Sequence, residues 1–381
     1  MFLRLYSRPK RSFFLFGPRG TGKTTWLHEQ FPGALRFDLL RTSEFLRLSG
    51  SPDIFRKEVE SLPSKSWVVV DEVQRLPTLL NEVHSIMADT RNRYLFALTG
   101  SSARKLKRTN VNLLAGRAIQ RAFFPLTGEE LAYDYETDDL IQFGCLPLVR
   151  SEPRDAVDIL EAYIDTYLRQ EIKEEAIVRK LEPFSRFLEI SALANAQVTN
   201  LSNIARDTGV SRPSVTGYFE ALVDTLLGNF LPAWRARAKI KEIAHSKFYF
   251  FDTGVVRALS RRLRAPLHPS ERGHLLETLL YHELKTWTHV HQSGAEISYW
   301  RTPHGNEIDF IIGFSGKRMG VEVKASTTWK PEFSRTLKEM LDTHVIQKGI
   351  GVYLGERALR DKAIHVFPLK AFQKELARNY L

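Results

Sequence analysis

The amino-acid sequence predicts an α/β protein built from three parts. Three observations lead to this prediction. A glycine-rich loop near the start lies between an apolar run and a helical segment, the middle has two helical segments around a glycine turn, and the last third alternates strands with helices. The length of 381 residues suits two or three domains. We place the domains at residues 1–150, 151–252 and 253–381.

The composition limits the class of protein. Hydrophobic residues make up 43% of the chain, which is enough for packed cores. No apolar run approaches the about 20 residues of a membrane helix, and the start lacks the pattern of a secretory leader, so we expect a cytoplasmic protein without a membrane partner. The single cysteine, Cys145, excludes a disulfide framework and a zinc site built on cysteines.

The formal net charge of +11 favours a polyanionic partner such as nucleic acid. An anionic membrane surface would also satisfy this charge, so the charge alone does not identify the partner.

The glycine-rich loop fits the pattern G-x-x-x-x-G-K-[ST] at every fixed position and follows the apolar run 13–16. Its backbone N–H groups and the following helix suit phosphate oxygens. Lys23 is expected to reach the β- and γ-phosphates, and the Thr24 hydroxyl to bind Mg²⁺. The alternative is a glycine turn that happens to carry a lysine. The residues predicted to bind the nucleotide are Gly17, Pro18, Arg19, Gly20, Thr21, Gly22, Lys23, Thr24 and Thr25.

Two acids follow a strongly apolar strand, 67–70. Four consecutive residues of high β propensity predict a strand buried on both faces of a parallel sheet. We expect Asp71 to hold the Mg²⁺ water shell, and Glu72 to orient and deprotonate the attacking water. The alternative is an acidic pair that caps a helix.

Further candidates come from the next strand and the segment after it. Thr99 ends the strand 94–99, and Ser101 follows two residues later. A hydroxyl at this place can sense the γ-phosphate or the lytic water, although it can also cap a helix. Arg117 and Arg121 are candidates to neutralise transition-state charge, within their own subunit or in a neighbour. The alternative for both arginines is a solvated surface.

Together these motifs resemble the AAA-type ATPases that carry a DUF4143 C-terminal region, over nearly the whole chain. The resemblance implies ATP binding and hydrolysis on an AAA-like core, with ATP and Mg²⁺ as cofactors and assembly into a ring or dimer. The residues that carry it are the glycine-rich loop, Asp71-Glu72-Val73-Gln74-Arg75, Leu98-Thr99-Gly100-Ser101, Gly116-Arg117 and Phe124-Pro125-Leu126.

The middle part predicts a winged helix-turn-helix. After a long helix at 155–180 and another at 184–194, Gly209 permits a turn, Ser211 caps the second helix, and strands at 226–234 and 247–251 form the wing. Such a module places the start of its second helix in a DNA groove. It also serves in other proteins as a protein contact or a packing unit. The predicted DNA-binding residues are Arg212, Ser214, Thr216, Tyr218, Arg235, Arg237, Lys239 and Lys241.

The last part carries four polar residues on a predicted helix and two predicted strands. Asp309 lies on one strand, and Glu322 and Lys324 share a face of the next, with Glu277 on the preceding helix. This set resembles the restriction-endonuclease-like PD-(D/E)xK nuclease core, which has two carboxylates for Mg²⁺ and a lysine near the attacking water. Ile308 stands where the motif has proline, and a surface hairpin with three charges is the alternative. His282, His289 and His291 show no convincing zinc spacing.

Three functions remain open on this basis. The leading hypothesis is an ATPase that binds and remodels or translocates on duplex or branched DNA. The second is a metal-dependent DNA nuclease gated by ATP. The third is a scaffold in which the nucleotide controls protein partners.

Overall fold

The structure is a computed structural model, and it describes residues 2–101, 114, 116–168, 181–235 and 245–378. The described residues up to Ala122 contain five strands and four α-helices, in this order: β1 (Phe13–Phe16), α1 (Lys23–Gln30), β2 (Leu35–Asp38), α2 (Thr42–Gly50), α3 (Pro52–Glu60), β3 (Trp67–Asp71), α4 (Leu79–Asp89), β4 (Leu95–Gly100) and β5 (Ile119–Ala122).

The five strands form one sheet in the order β2-β3-β4-β1-β5, and every neighbouring pair is parallel. Alternate residues of the central strands enter two separate apolar clusters. Phe14 and Val70 join the cluster on one face, whereas Phe13 and Val69 join the cluster on the other. This two-sided burial explains the unbroken apolar runs in the sequence. The expected mixed α/β fold with a parallel sheet at the start of the chain is confirmed.

The described residues from Thr137 to Leu259, which include the middle part, are mainly helical. A 3₁₀ turn, Pro153–Asp155, and a π-helical segment, Tyr163–Leu168, flank the helix Ala156–Ala162, so the described portion of the long helix expected over 155–180 is not one regular α-helix. The regular elements are α5 (Thr137–Phe143), α6 (Pro147–Ser151), α7 (Ala156–Ala162), α8 (Leu181–Leu193), α9 (Leu201–Thr208), α10 (Arg212–Asp224), β6 (Gly228–Leu231), β7 (Lys247–Phe250) and α11 (Thr253–Leu259).

Local chemistry sets the limits of α9 and α10. The Asn200 side chain accepts hydrogen bonds from two backbone N–H groups at the start of α9, and Gly209 ends that helix with a φ of 71°. Ser211 caps α10, and its hydroxyl accepts a hydrogen bond from the Ser214 N–H. The strands β6 and β7 pair antiparallel after α10.

The last part has a long helix that precedes a six-stranded mixed sheet. Its elements are α12 (Pro269–Val290), β8 (Glu296–Arg301), β9 (Glu307–Phe314), β10 (Lys317–Lys324), a 3₁₀ turn (Pro331–Ser334), α13 (Arg335–Asp342), β11 (Lys348–Tyr353), β12 (Leu359–Asp361), β13 (Ile364–Pro368) and α14 (Leu369–Ala377). Strands β8, β9 and β10 pair antiparallel, and β10, β11 and β13 run parallel.

The segment that follows β5 joins the first part to the others. Its Gly128 N–H donates to Glu283 Oε1 on α12 over 2.7 Å, and a ring nitrogen of His282 lies 2.9 Å from the Leu126 carbonyl oxygen. Farther along, the Cys145 N–H donates to Asp252 Oδ2 over 2.6 Å. Buried polar contacts therefore fix this segment against both later parts. Among the helices in the described ranges, none is long and apolar enough to cross a membrane.

Candidate functional site

The glycine-rich loop leaves the carboxyl end of β1 and enters α1 at Lys23. Gly20 and Gly22 have φ angles of 76° and 91°, in the left-handed region that favours glycine. Gly17 is constrained differently, because a Cβ atom there would collide with the Phe123 carbonyl oxygen. The loop therefore needs glycine at these positions to keep its turn and to pass close to the neighbouring backbone.

Lys23 lies over this loop and is 5% exposed. Its ammonium group donates to the carbonyl oxygens of Gly17 over 2.6 Å and Pro18 over 3.0 Å. Both acceptors belong to the loop, so the positive charge stays beside the backbone that is expected to contact phosphates.

Asp71 connects the loop to the neighbouring strands. Thr24 Oγ1 donates to Asp71 Oδ2 over 2.7 Å, and the Thr99 hydroxyl is hydrogen-bonded to Asp71 Oδ1. Thr99 Oγ1 also accepts from the Glu72 N–H over 3.1 Å. Because β4 lies between β1 and β3, these residues meet at the carboxyl edge of the sheet. The structure thus brings together four predicted residues, Thr24, Asp71, Glu72 and Thr99.

The backbone of Glu72 is unusual. It lies in the left-handed region at φ 58° and ψ 47°, which costs free energy for a residue other than glycine and is frequent at functional sites. Its carboxylate accepts a hydrogen bond from Gln74 Nε2, which also donates to Ser101 Oγ over 3.1 Å. Gln74 therefore orients Glu72, a role that our sequence analysis missed although Gln74 lies two residues downstream.

Gln74 also has an unpaired atom. Its Oε1 is buried and has no hydrogen-bond partner among the residues that the structure describes. A buried amide oxygen without a partner is costly and often marks a functional position.

Thr24 and Asp71 fit a magnesium–nucleotide complex. A hydroxyl and a carboxylate are hard oxygen ligands, and Mg²⁺ in such complexes takes its other ligands from phosphates and water. Accordingly, the protein needs no large cluster of acids at this edge. Within the described ranges, no group of three or more His, Cys, Asp or Glu side chains is placed to hold a metal ion.

The position of Arg117 contradicts a catalytic role within its own subunit. Strand β5 is parallel to β1, with Ile119 level with Phe13, so Arg117 precedes the amino end of the sheet. The glycine-rich loop follows the opposite end of β1, at least about 13 Å away along the four-residue strand. The guanidinium of Arg117 contacts His84 on α4 instead. A contribution from a neighbouring subunit stays a prediction.

Arg121 does not join the predicted catalytic residues either. It lies within β5 and lines a small cavity together with Trp26 and His289. None of the residues proposed for hydrolysis lines that cavity.

Two side chains outside the predicted site hold the glycine-rich loop. Tyr163, the first residue of the π-helical segment, donates its hydroxyl to the Arg19 carbonyl oxygen over 3.2 Å. Arg4 donates to the Thr21 carbonyl oxygen over 2.6 Å and, over 2.9 Å, to Glu130. The loop is thus braced by the segment before β1 and by the middle part. The glycine-rich motif itself does not predict these two partners, which lie elsewhere in the chain.

The predicted DNA-binding residues are only partly arranged as expected. Arg212 and Arg235 are exposed. Ser214 lies 2.8 Å from the Ser211 hydroxyl oxygen, and the Thr216 hydroxyl donates to the Arg212 carbonyl oxygen over 3.1 Å. Arg237, Lys239 and Lys241 lie outside the described residues.

Tyr218 requires a correction, because we expected it to face outward. Its ring is half-buried, with ring centroids 5.0 Å from Phe184 and 5.2 Å from Phe187. These contacts pack it against α8, and its aromatic surface explains the inward position.

A cavity of about 580 Å³ in the last part brings together the four polar residues predicted there, Glu277, Asp309, Glu322 and Lys324. The Val323 N–H donates to Asp309 Oδ2 over 2.7 Å, and Lys324 forms an ion pair with Glu322. Burial, together with Asp309, raises the pKa of Glu322 well above its ordinary value, and raises that of Glu277 to about 7.

Lys247 also lines this cavity and was not predicted from the sequence. Lys247 comes from β7 in the middle part, and its Nζ lies 3.1 Å from Glu277 Oε2 and 2.6 Å from Glu307 Oε1. A lysine on a short, aromatic-rich strand far from the acids in sequence gave no signal of this pairing.

Comparison with family models agrees with the resemblance drawn from the motifs. Residues 9–132 match an AAA domain, and residues 272–372 match the domain of unknown function DUF4143. Between them, residues 135–265 match the domain of unknown function DUF8612. The resemblance to an AAA ATPase with a DUF4143 C-terminal region is therefore confirmed, and the AAA domain supports nucleotide binding with a divalent metal.

Two curated relatives extend over most of the chain. They are uncharacterized proteins from Mycobacterium bovis and Mycobacterium tuberculosis, each 25% identical over 366 residues. The alignments cover 93% of this chain and 77% of each relative.

Three solved structures are distant matches to this chain. The replication initiator DnaA bound to AMPPCP and single-stranded DNA is 14% identical, with a TM-score of 0.27 over 56% of this chain and 82% of DnaA. Protein VC1899 from Vibrio cholerae is 13% identical, with a TM-score of 0.24 over 84% of this chain and 91% of its own. Can2 from Sulfobacillus thermosulfidooxidans in complex with cyclic tetra-adenylate is 10% identical, with a TM-score of 0.23 over 84% and 93%.

Proposed function

We propose that this chain, with an AAA domain ahead of a DUF4143 region, hydrolyses ATP and uses the reaction to act on DNA. One observation carries the ATPase part of the proposal. Thr24, Asp71, Thr99 and Glu72 form a connected set of hydrogen bonds beside the glycine-rich loop.

Each side chain has a distinct task in this proposal. The loop N–H groups and Lys23 bind the phosphates, and Thr24 and Asp71 hold the magnesium ion with its water shell. Bound magnesium neutralises charge on the β- and γ-phosphates.

Glu72 acts as the general base and accepts a proton from the attacking water. Gln74 orients its carboxylate by a hydrogen bond, and Thr99 accepts a hydrogen bond from the Glu72 backbone N–H. Burial of Asp71 and Glu72, each 6% exposed, limits competition from bulk water.

The test of hydrolysis compares the wild type with Lys23→Ala and Glu72→Gln, by measuring phosphate release from ATP. We expect the first variant to lose ATP binding and the second to bind ATP without turnover. Hydrolysis that continues unchanged in both variants would reject the assigned site.

The DNA part of the proposal rests on charge and on the middle module. The chain has a formal net charge of +11, and both Arg212, on α10, and Arg235, which follows β6, are exposed. Phosphate contacts are strongest at low salt. Adding duplex or four-way-junction DNA at low salt is therefore expected to increase ATP turnover.

The same experiment distinguishes the nucleotide-controlled scaffold. A scaffold predicts ATP binding and slow turnover that are indifferent to every DNA tested. In contrast, binding to duplex or junction DNA that weakens with salt and is reduced by Arg212→Ala and Arg235→Ala supports the DNA role.

A metal-dependent nuclease is not advanced as the function, because the acidic cavity of the last part does not fit a divalent cation. Lys247 already lies between two of its carboxylates, Glu277 and Glu307.

A further inference from the structure

Four buried or half-buried carboxylates line the cavity of the last part, Glu277, Glu307, Asp309 and Glu322, while a fifth lining carboxylate, Glu332, is exposed. Side chains of this kind, facing one cavity, ordinarily attract a divalent cation. Yet no metal-holding group of three or more His, Cys, Asp or Glu side chains is found within the ranges that the structure describes. These carboxylates instead have hydrogen-bond and ion-pair partners within the protein.

Lys247 satisfies two of them directly. Its side chain is 4% exposed, and its Nζ forms ion pairs with Glu277 Oε2 at 3.1 Å and Glu307 Oε1 at 2.6 Å. The Tyr249 hydroxyl also donates to Glu277 Oε2, over 3.1 Å. The ammonium and this hydroxyl therefore direct three donor contacts at two carboxylates.

The other two acids have partners as well. Asp309 accepts from the Val323 backbone N–H, and Glu322 pairs with Lys324. Glu322 keeps one buried oxygen, Oε2, that has no hydrogen-bond partner among the described residues. Each of these four carboxylates therefore already has at least one hydrogen-bond or ion-pair partner, which a metal ion would have to replace or share.

The Lys247 side chain is protonated and positively charged in the folded protein. Burial alone would lower its pKa, but Glu277, Asp309 and Glu307 together raise the pKa above its ordinary value. An ammonium ion and a divalent cation compete for the same oxygens and repel each other at short distance. A metal ion can bind Glu277 and Glu307 only after displacing a buried ammonium group that pairs with both of them.

We propose that Lys247 is a built-in counter-ion that excludes divalent metal from this cavity, so that the C-terminal part of this chain binds no catalytic metal in its native arrangement. The lysine belongs to β7 in the middle part, whereas the acids belong to α12, β9 and β10. No residue of the glycine-rich loop lines this cavity, and the role of Lys247 does not depend on ATP hydrolysis.

Mn²⁺ binding to the full-length chain tests this proposal, with free Mn²⁺ measured by electron paramagnetic resonance. All proteins carry Asp71→Asn, which removes the expected metal ligand beside the glycine-rich loop. We compare this background with Lys247→Met, which keeps the length of the side chain and removes its charge. We expect Lys247→Met to bind one Mn²⁺ at least about tenfold more tightly than the background.

Adding Asp309→Asn to Lys247→Met is expected to abolish the gained binding. Two results would overturn the proposal. The first is tight Mn²⁺ binding by the Asp71→Asn background that is lost when Asp309→Asn is added. The second is a folded Lys247→Met protein whose Mn²⁺ affinity is no higher than that of the background. If Lys247→Met does not fold, Lys247→Gln, which keeps a hydrogen-bond donor, takes its place under the same criteria. The background titration decides the matter even if neither variant folds.

Discussion

Thr24 and Asp71 are hydrogen-bonded across the carboxyl edge of the first sheet, with 2.7 Å between Thr24 Oγ1 and Asp71 Oδ2. The residues are 47 positions apart in the chain, on α1 and at the end of β3. Their contact places a hydroxyl and a carboxylate at one point beside Lys23. The magnesium dependence of nucleotide binding should therefore depend on both.

Replacing Asp71 tests this relationship. We expect Asp71→Asn to remove most of the gain in ATP affinity that Mg²⁺ gives, because a neutral amide holds the magnesium water shell weakly. Titration of a fluorescent ATP analogue with and without Mg²⁺ measures the effect. Asp38→Asn, at the end of the adjacent strand β2, is the matched control and should behave as wild type. An unchanged magnesium effect in Asp71→Asn would contradict the assignment.

Glu72→Gln separates binding from chemistry. The amide cannot accept the proton of the attacking water, so turnover should fall by about 10²–10⁴-fold while ATP affinity changes little. Single-turnover hydrolysis and equilibrium binding give the two quantities. If turnover falls less than tenfold while Glu72→Gln still binds ATP, Glu72 is not the general base.

Arg117 can be tested for action between subunits. Because it lies at the opposite edge of the sheet from the loop in its own subunit, Arg117→Ala should bind ATP normally and hydrolyse it slowly. Mixing Arg117→Ala with Glu72→Gln should restore part of the activity, since a mixed interface can combine an intact Glu72 with an intact Arg117 from the neighbour. Arg121→Ala is the comparison. No recovery on mixing, in an assembly shown to exchange subunits, would exclude Arg117.

Glu283 predicts a pH-dependent stability. Burial, the first cause, and the nearby acids Glu130 and Glu129 raise its pKa from 4.5 to about 7. Between these values the folded protein keeps a proton that the unfolded chain has lost, so stability falls as pH rises. In the variant Glu283→Gln the side chain would not titrate, and its amide oxygen could still accept from Gly128 and Gln373.

We therefore compare wild type with Glu283→Gln by urea unfolding from pH 5 to pH 8. The free energy of unfolding of wild type, relative to the variant, should decrease by about 2 kcal/mol between pH 5 and pH 7. A constant difference over this range would show that Glu283 is ionised in the folded protein.

Gly17 should not tolerate a side chain. A Cβ atom at this position would meet the Phe123 carbonyl oxygen, so Gly17→Ala is expected to lower the free energy of unfolding by about 1–3 kcal/mol. Gly33→Ala is a good control, because no atom lies within 4 Å of the added Cβ. Thermal unfolding of both variants measures the difference, and equal melting temperatures would refute the close approach.

Elements that are marked by a short run of neighbouring residues could be predicted from the sequence. The strand 67–70 could be recognised from four apolar residues, and the site at its end from Asp71 and Glu72. Strand β5 escaped prediction, because its residues Ile119–Ala122 include Gln120 and Arg121 and lack a clear apolar run. Its pairing with β1 decides that Arg117 lies far from the loop, and only the three-dimensional arrangement shows this.

Contacts between segments that are distant in the chain could not be predicted from the sequence either. Lys247 meets Glu277 and Glu307 from another part of the chain, and a lone lysine carries no pattern that predicts such partners. The same applies to Tyr163, which reaches the glycine-rich loop from 144 residues away. Tertiary packing, rather than local propensity, selects these pairs.

Arg4 gives the amino-terminal segment a part in the candidate nucleotide site. Its side chain is 5% exposed, and its guanidinium joins the Thr21 carbonyl, the Phe124 carbonyl and the Glu130 carboxylate. A purification tag or a trimmed start that disturbs Arg4 would therefore alter the glycine-rich loop from outside the motif. Biochemical work on this protein should carry any fusion at the carboxyl end and treat residues ahead of β1 as part of the site.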